Sequence, residues 1–416
     1  MRIRTLALLV AAALPACSAP PGSTPATPSQ GDNPARASRA GVHVLYSFTG
    51  GTDGGNAATG LVLDGSGNLY GTTVIGGKFA CGTIFKLAPQ ASPPWPESVL
   101  YNFDCYGDGK NPHGGVTFDP RGSLDGTTTS GGSGGSCYSS GCGVAFSLSS
   151  NGESVLHDFA GGGDGYGPGG GVAFDGKGNV YGTTPDGGES SAGVVYEISR
   201  AKRGWHETVL HAFNGGSEGG VGSLGLLLLD KSADIFGVTE IGGAGDAGTV
   251  YELARTGKTW RYSTLYAFEG TPDAGSPYGG LIADASGDLF GTTYYGGATG
   301  NGSVFELQAS GKGKYRERVV YSLRGGSDGA APTSTLLLRK GELYGTASGG
   351  GGACYCGTIF EVNAQSGKEK VLHRFAGGSD GAYPYYGLTA AANGELYGTT
   401  VAGGSANQGT VFELTP

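Results

Sequence analysis

Seven acidic residues recur at almost even spacing through the chain: Asp53, Asp108, Asp164, Glu218, Asp273, Asp328 and Asp380. In five copies a proline follows four residues on, at Pro112, Pro168, Pro277, Pro332 and Pro384. If these segments surround one opening, the carboxylates could face a cation or a polar ligand. Two of them could also pair as the acid and nucleophile of a glycosidase, although nothing separates any two from the other five. A carboxylate before glycine is equally the favoured acceptor for the backbone N–H groups of a tight turn. Seven identical turns would use seven such acids without a ligand.

Departures from the repetition say more about function. His113, Tyr278, Tyr385 and Tyr386 break the pattern beside the first residues of the inner strands, and aromatic rings clustered at an opening suit a sugar or an aromatic ligand. The other histidines carry little of this signal. His157, His211 and His373 fill the slot that Tyr46, Tyr101, Tyr266 and Tyr321 fill in other copies, which marks a structural position, and His43 and His206 lie near outer strands. The sequence holds no Gly-x-Ser-x-Gly elbow, no Walker phosphate loop and no His-Glu-x-x-His helix. A formal charge of -9 and a pI near 5.2 oppose nucleic-acid binding, which needs a basic face. No cofactor or metal is implied.

Of seven cysteines, Cys17 stands alone near the N-terminus and six remain, an even number suited to an oxidising compartment. Cys137 and Cys142 share one long loop and are expected to pair. Cys354 and Cys356 lie in a repeat remote from the others and have each other as partners, across a strained three-residue loop. Cys81 and Cys105 complete the set. Spacing alone leaves about 15 pairings open for six cysteines, and the spacings match no common zinc pattern.

The elements that must position these residues follow from a phrase repeated seven times. Aligned on its glycine, it is found at Tyr70-Gly71-Thr72-Thr73, Asp125-Gly126-Thr127-Thr128, Tyr181-Gly182-Thr183-Thr184, Phe236-Gly237-Val238-Thr239, Phe290-Gly291-Thr292-Thr293, Tyr344-Gly345-Thr346-Ala347 and Tyr397-Gly398-Thr399-Thr400. The glycines are 55, 56, 55, 54, 54 and 53 residues apart, the period of a blade or solenoid unit. Each unit has four short apolar runs separated by glycine-rich turns, too short for helices and rich in strand-forming residues. In the last unit three of them are Gly387 to Ala390, Glu395 to Thr400 and Gly409 to Leu414. Linkers such as Asp64-Gly65-Ser66-Gly67-Asn68 read as hairpin turns. Four antiparallel strands repeated seven times predict an all-β fold, a seven-bladed β-propeller. A parallel β-helix, the main rival, has coils about half as long and no place for hairpins.

The run His43 to Phe48 has no unit before it, and the last unit has no outer run after it. The simplest account is that the N-terminal strand supplies the missing outermost strand of blade seven and closes the ring, which also removes an open sheet edge. The 86 glycines exceed average usage and could signal disorder, but they recur in register at turns and strand starts.

Residues 1–16 have a basic start, an apolar stretch from Leu6 to Leu14 and a small-residue exit, the parts of a secretory signal. Leu14-Pro15-Ala16-Cys17 is similar to a bacterial lipobox, with a lipid expected on Cys17. Pro15 departs from the usual small residue, and ordinary cleavage near Ala19 is the alternative. Residues 17–41 then form a Pro/Ser/Ala tether too poor in apolar residues to fold, and residues 42–416 form the propeller.

Gly67-Asn68-Leu69-Tyr70-Gly71-Thr72-Thr73, Gly242-Gly243, Phe375-Ala376-Gly377-Gly378-Ser379-Asp380-Gly381 and Gly409-Thr410-Val411-Phe412-Glu413-Leu414 resemble the bacterial tandem-repeat family of choice-of-anchor GloVer proteins. The likeness runs from Val42 to Leu414. It implies an exported, surface-associated repeat protein whose anchor varies among members, and it carries over no catalytic residue. The expectation is a lipid-anchored binding or scaffold module for a protein or glycan, in the periplasm or at the cell surface, for which a monomer suffices. The alternative is a propeller enzyme of lactonase, polysaccharide lyase or hydrolase type, with its site near His113, Asp108, Tyr278 and Tyr385.

Overall fold

The computed structural model describes residues 41–57, 59–135, 137, 140–222, 225–311 and 313–416. The signal segment, Cys17 and the tether up to Ala40 lie outside the described residues. Seven separate antiparallel sheets follow one another, the first six with their strands in sequential order from inner to outer. Blade one, for example, runs Val62–Leu63, Leu69–Thr73, Thr83–Leu87 and Glu97–Asn102. The last sheet breaks the order. Its outermost strand is Gly41–Ser47, paired antiparallel with Thr410–Thr415 through Val42 and Leu414, and through Val44 and Phe412. The two ends of the propeller thus share one blade, and the Phe48 N–H extends the join by donating to the Gly409 carbonyl at 3.0 Å.

Blade boundaries hold the core. Where an outer strand ends, a buried aromatic ring packs edge-on against a ring from the third strand of the next blade. Phe48 meets Phe85 with ring centres 5.0 Å apart, and Phe103 meets Phe146 at 5.1 Å. The series continues as Phe159 with Tyr196, Phe213 with Tyr251, Phe268 with Phe305 and Phe375 with Phe412. At the remaining boundary Leu323 takes the place of the first ring and shares a cluster with Phe360. This packing explains the glycine in the repeated phrase. A Cβ on Gly398 would lie 2.5 Å from Cζ of Phe412, closer than carbon atoms approach, so the strand must be bare where the ring crosses it.

Hydrogen bonds tie the blades together nearer the axis. The first threonine of the phrase donates to a carbonyl in the inner segment of the next blade: Thr72 to Pro112 (2.7 Å), Thr127 to Gly170 (2.8 Å), Thr292 to Ser334 (2.9 Å) and Thr346 to Tyr386 (3.0 Å). Thr399 completes the circuit by donating to Thr59 of blade one at 2.7 Å. The fourth copy has Val238 at this position, which has no hydroxyl to offer.

Inner strands are shorter than the sequence suggests. In blade seven only Thr389–Ala390 is strand, where Gly387 to Ala390 was expected. Upstream, Ala382 makes an isolated bridge to Ala402, and the residues between the two pieces leave the sheet toward the axis. In blades four, five and six both pieces join the ladder, as Ala274–Pro277 and Ile282–Ala283 do in blade five. The diverted segments, five of which enter next to a proline, carry the candidate site.

Candidate functional site

Six of the seven repeats begin the diverted segment with a residue in the left-handed region: Asn56, Asn111, Gly167, Ser276, Ala331 and Tyr383 have φ between 53° and 72°. Its N–H donates to a carbonyl of the preceding blade, as Asn111 does to Cys81 at 3.0 Å, Ser276 to Ala247 at 2.7 Å and Tyr383 to Cys356 at 2.8 Å. That bond pins the turn that throws the chain inward. Successive segments then touch, for a Cβ on Gly279 would lie 2.4 Å from the Ser334 carbonyl oxygen. An aromatic residue in the left-handed region is costly. Tyr383 takes it at the entrance to the Tyr385-Tyr386 segment.

The tyrosines of blades five, six and seven gather on one arc. Tyr278 lies with its ring 6.4 Å from that of Tyr294, which meets Tyr295 edge-on at 4.5 Å. Tyr383, Tyr385 and Tyr386 pack against Val74 and Val401. Tyr355 lies over Gly349, whose missing side chain leaves room for its ring. Tyr295 and Tyr355 are 57% and 52% exposed and present their rings to solvent. Burial, followed by the neighbouring Tyr386, Glu240, Tyr385 and Tyr294, pushes the Tyr278 hydroxyl far above the usual phenol range. Burial likewise raises Tyr294, Tyr385 and Tyr386, so these groups are neutral O–H donors at any physiological pH. Burial also raises the carboxyl of Glu240 beside them.

His113 holds, in the segment entering blade two, the position that Tyr278 and Tyr385 hold in theirs. Its enclosure pulls the imidazole down to about 4, so the ring is neutral and can either donate or accept. The seven carboxylates do not join this arc. Each is turned onto the outer strand that precedes it, where six of the seven are hydrogen-bonded to the Tyr or His seven residues upstream and Glu218 lies beside His211. Tyr46 reaches Asp53 at 3.1 Å, Tyr101 reaches Asp108 at 2.6 Å, Tyr266 reaches Asp273 at 3.1 Å and Tyr321 reaches Asp328 at 2.9 Å. His157 and His373 lie 3.0 Å from Asp164 and Asp380, and His211 lies 3.3 Å from Glu218. Six of the seven also accept the backbone N–H four residues upstream, from Thr49, Asp104, Ala160, Glu269, Arg324 and Ala376. Burial pushes Asp164 up, but the hydrogen bonds from His157 and the Ala160 N–H outweigh it and hold the carboxyl low.

The cysteines pair as Cys81–Cys105, Cys137–Cys142 and Cys354–Cys356, with Cα atoms 5.4, 4.9 and 5.2 Å apart. Such bonds persist in oxidising compartments. Among the described residues, only His157, Asp164 and Glu207 bring three metal-ligating types within 4.8 Å of one another. We read them as a hydrogen-bonded cluster, because the same arrangement recurs at other blade boundaries with tyrosine in place of the histidine. Sequence reasoning passed over Glu240, Tyr294, Tyr295, Tyr355 and Tyr383. The first three directly follow Gly-Thr-Thr or its equivalent, where the other copies differ among themselves, and that variability was the available signal.

Fold and site define a seven-bladed β-propeller whose sevenfold pattern gives way to tyrosine on one arc around its axis. The chain belongs to the Gloeobacter/Verrucomicrobia repeat family, whose profile matches residues 35–172, 134–325 and 260–416 in overlapping stretches. No functionally curated protein matches the sequence. Among solved structures, it is similar to a fungal alcohol oxidase of the AA5 family in complex with copper, at 13% identity and a TM-score of 0.53 over 91% of this chain and 76% of that one. It is also similar to the extracellular domain assigned to a hybrid two-component system of B. thetaiotaomicron, at 11% identity and a TM-score of 0.52 over 91% of this chain and 41% of that one. A protein of unknown function from Dyadobacter fermentans aligns at 11% identity and a TM-score of 0.46 over 90% and 98% of the two chains. At such identities the likeness concerns the fold alone.

Proposed function

We propose that this protein is an extracytoplasmic carbohydrate-binding module, held at a membrane by a lipid on Cys17 and presenting the tyrosine arc to a glycan. The observation that carries the reading is the asymmetry of the axis. Seven copies of one segment would suffice to build the ring, yet blades five to seven place Tyr278, Tyr294, Tyr295, Tyr355, Tyr383, Tyr385 and Tyr386 within one neighbourhood. Phenol rings supply flat apolar faces for sugar C–H groups, and their hydroxyls supply hydrogen bonds without adding charge. Enclosed and exposed rings side by side suit an extended ligand that enters from solvent. The disulfides fit the proposed location.

A glycan array probed with the purified domain tests the reading. Binding to a set of related polysaccharides that weakens in Tyr295→Ala and Tyr355→Ala supports it, and a protein that retains no glycan refutes it. Glu240 favours a second reading, in which a raised carboxyl acts as the acid of a glycoside-cleaving enzyme. Release of reducing ends from the bound polysaccharide, lost in Glu240→Gln, separates that enzyme from a pure binder.

A further inference from the structure

A second set of side chains repeats around the rim of the propeller, away from the tyrosine arc. Four residues before the outer-strand Tyr or His stand Glu97, Glu153, Glu207, Glu317 and Glu369. Each faces the clamp carboxylate of the preceding boundary: Glu97 faces Asp53, Glu153 faces Asp108, Glu207 faces Asp164, Glu317 faces Asp273 and Glu369 faces Asp328. In all five the same atom, Oε1, is buried and reached by no hydrogen-bond donor among the described residues. One such atom could be an accident of packing. Five equivalent ones require a common cause.

An ionised glutamate here would bury an oxygen without a donor and set two negative charges side by side, and each of these is costly. A single proton removes both penalties. We propose that each of these five blade boundaries is a proton-binding site, in which a neutral glutamic acid donates its O–H toward the aspartate of the neighbouring loop. The two boundaries that lack the glutamate agree with this. At one, Tyr262 takes the position, stacks on His211 at 4.3 Å and donates its O–H to the Glu218 carbonyl at 2.6 Å. At the closing boundary the residue is Val42, which has no charge to lose. None of the seven copies has a residue at this position that must stay charged.

Other charged groups bear on the pairs without cancelling them. Glu153 also faces Asp104, and Glu207 faces His157. Arg318 adjoins Glu317 but is engaged by Glu306 at 2.6 Å. Arg324 and Arg374 lower Glu369 less than burial and Asp328 raise it. Burial first, and the facing aspartate second, push all five glutamates up to about 7. The folded ring therefore binds more protons than the unfolded chain between about pH 4.5 and 7, and by linkage its stability falls as pH rises through that window.

The test follows the carboxyl groups themselves. In the wild-type domain with 13C-labelled glutamate side chains, the five carboxyl signals of these residues should titrate near pH 7. The fivefold Glu→Gln variant at positions 97, 153, 207, 317 and 369 should lose those signals. Its urea midpoint should change much less between pH 5.5 and pH 8.5 than that of the wild type. All glutamates titrating below pH 5.5 in the folded wild type would overturn the proposal, whether or not the variant folds. A wild-type midpoint at pH 8.5 restored by zinc or calcium would also overturn it, by showing that a metal cation and not a proton belongs between the carboxylates.

Discussion

Replacing Phe48 with alanine tests whether the N-terminal strand is structurally equal to the other outer strands. Phe48 is fully buried and meets Phe85 edge-on at 5.0 Å, and Phe268 makes the matching contact with Phe305 at 5.1 Å inside the ring. Truncating a buried phenylalanine costs about 3–5 kcal/mol, including the cavity left behind, of which about 0.5–1.5 kcal/mol belongs to the aromatic pair. If Gly41–Ser47 closes the ring, Phe48→Ala and Phe268→Ala should lower stability by similar amounts within that range. Both should leave the transition cooperative. Urea unfolding followed by tryptophan fluorescence is a suitable assay, because Trp95 is buried beside the closing strand and its backbone N–H donates to the Leu45 carbonyl. With an unchanged urea dependence, the shift in midpoint gives the loss directly. A loss below about 1 kcal/mol for Phe48→Ala, with Phe268→Ala in the expected range, would mean that the strand is an appendage.

Two further outcomes follow from the same structure. Asp380→Ala removes the acceptor of both His373 and the Ala376 N–H at a boundary with no facing glutamate, and should cost about 1.5–3 kcal/mol in urea unfolding; a neutral result would mean that the clamp does not hold its loop. For the anchor, cells fed radioactive palmitate should label the full-length protein and not Cys17→Ser, and an unlabelled mature wild type would refute the lipid.

Much of the architecture could be read from the chain because every blade solves the same packing problem with the same residues. Gly-Thr-Thr recurs since the glycine must clear a ring at every boundary and the first threonine reaches the next blade in the copies that keep it. The closing strand was legible as an imbalance, with an outer run at one end of the chain and none at the other. The carboxylates were harder to place. Asp53 and its equivalents invite a reading as a ring facing the channel, yet Tyr46 and Tyr101 stand seven residues before them, and that constant interval is the trace of the clamp. The arc was visible only in part. Tyr278, Tyr385 and Tyr386 follow prolines and stand out, whereas Tyr294 and Tyr355 belong to a strand of blade five and a loop of blade six and meet Tyr385 only through the curvature of the ring. No local pattern records such a meeting.

The most direct test of the central claim is a calorimetric titration of the array-identified polysaccharide into the wild-type domain and into Tyr295→Ala/Tyr355→Ala. Both rings are more than half exposed, so their removal should leave the fold intact. If the arc is the binding surface, losing two stacking faces of about 0.5–1.5 kcal/mol each weakens binding by about 5- to 150-fold. An unchanged Kd in a variant whose unfolding midpoint is also unchanged would place the ligand elsewhere and contradict the assignment.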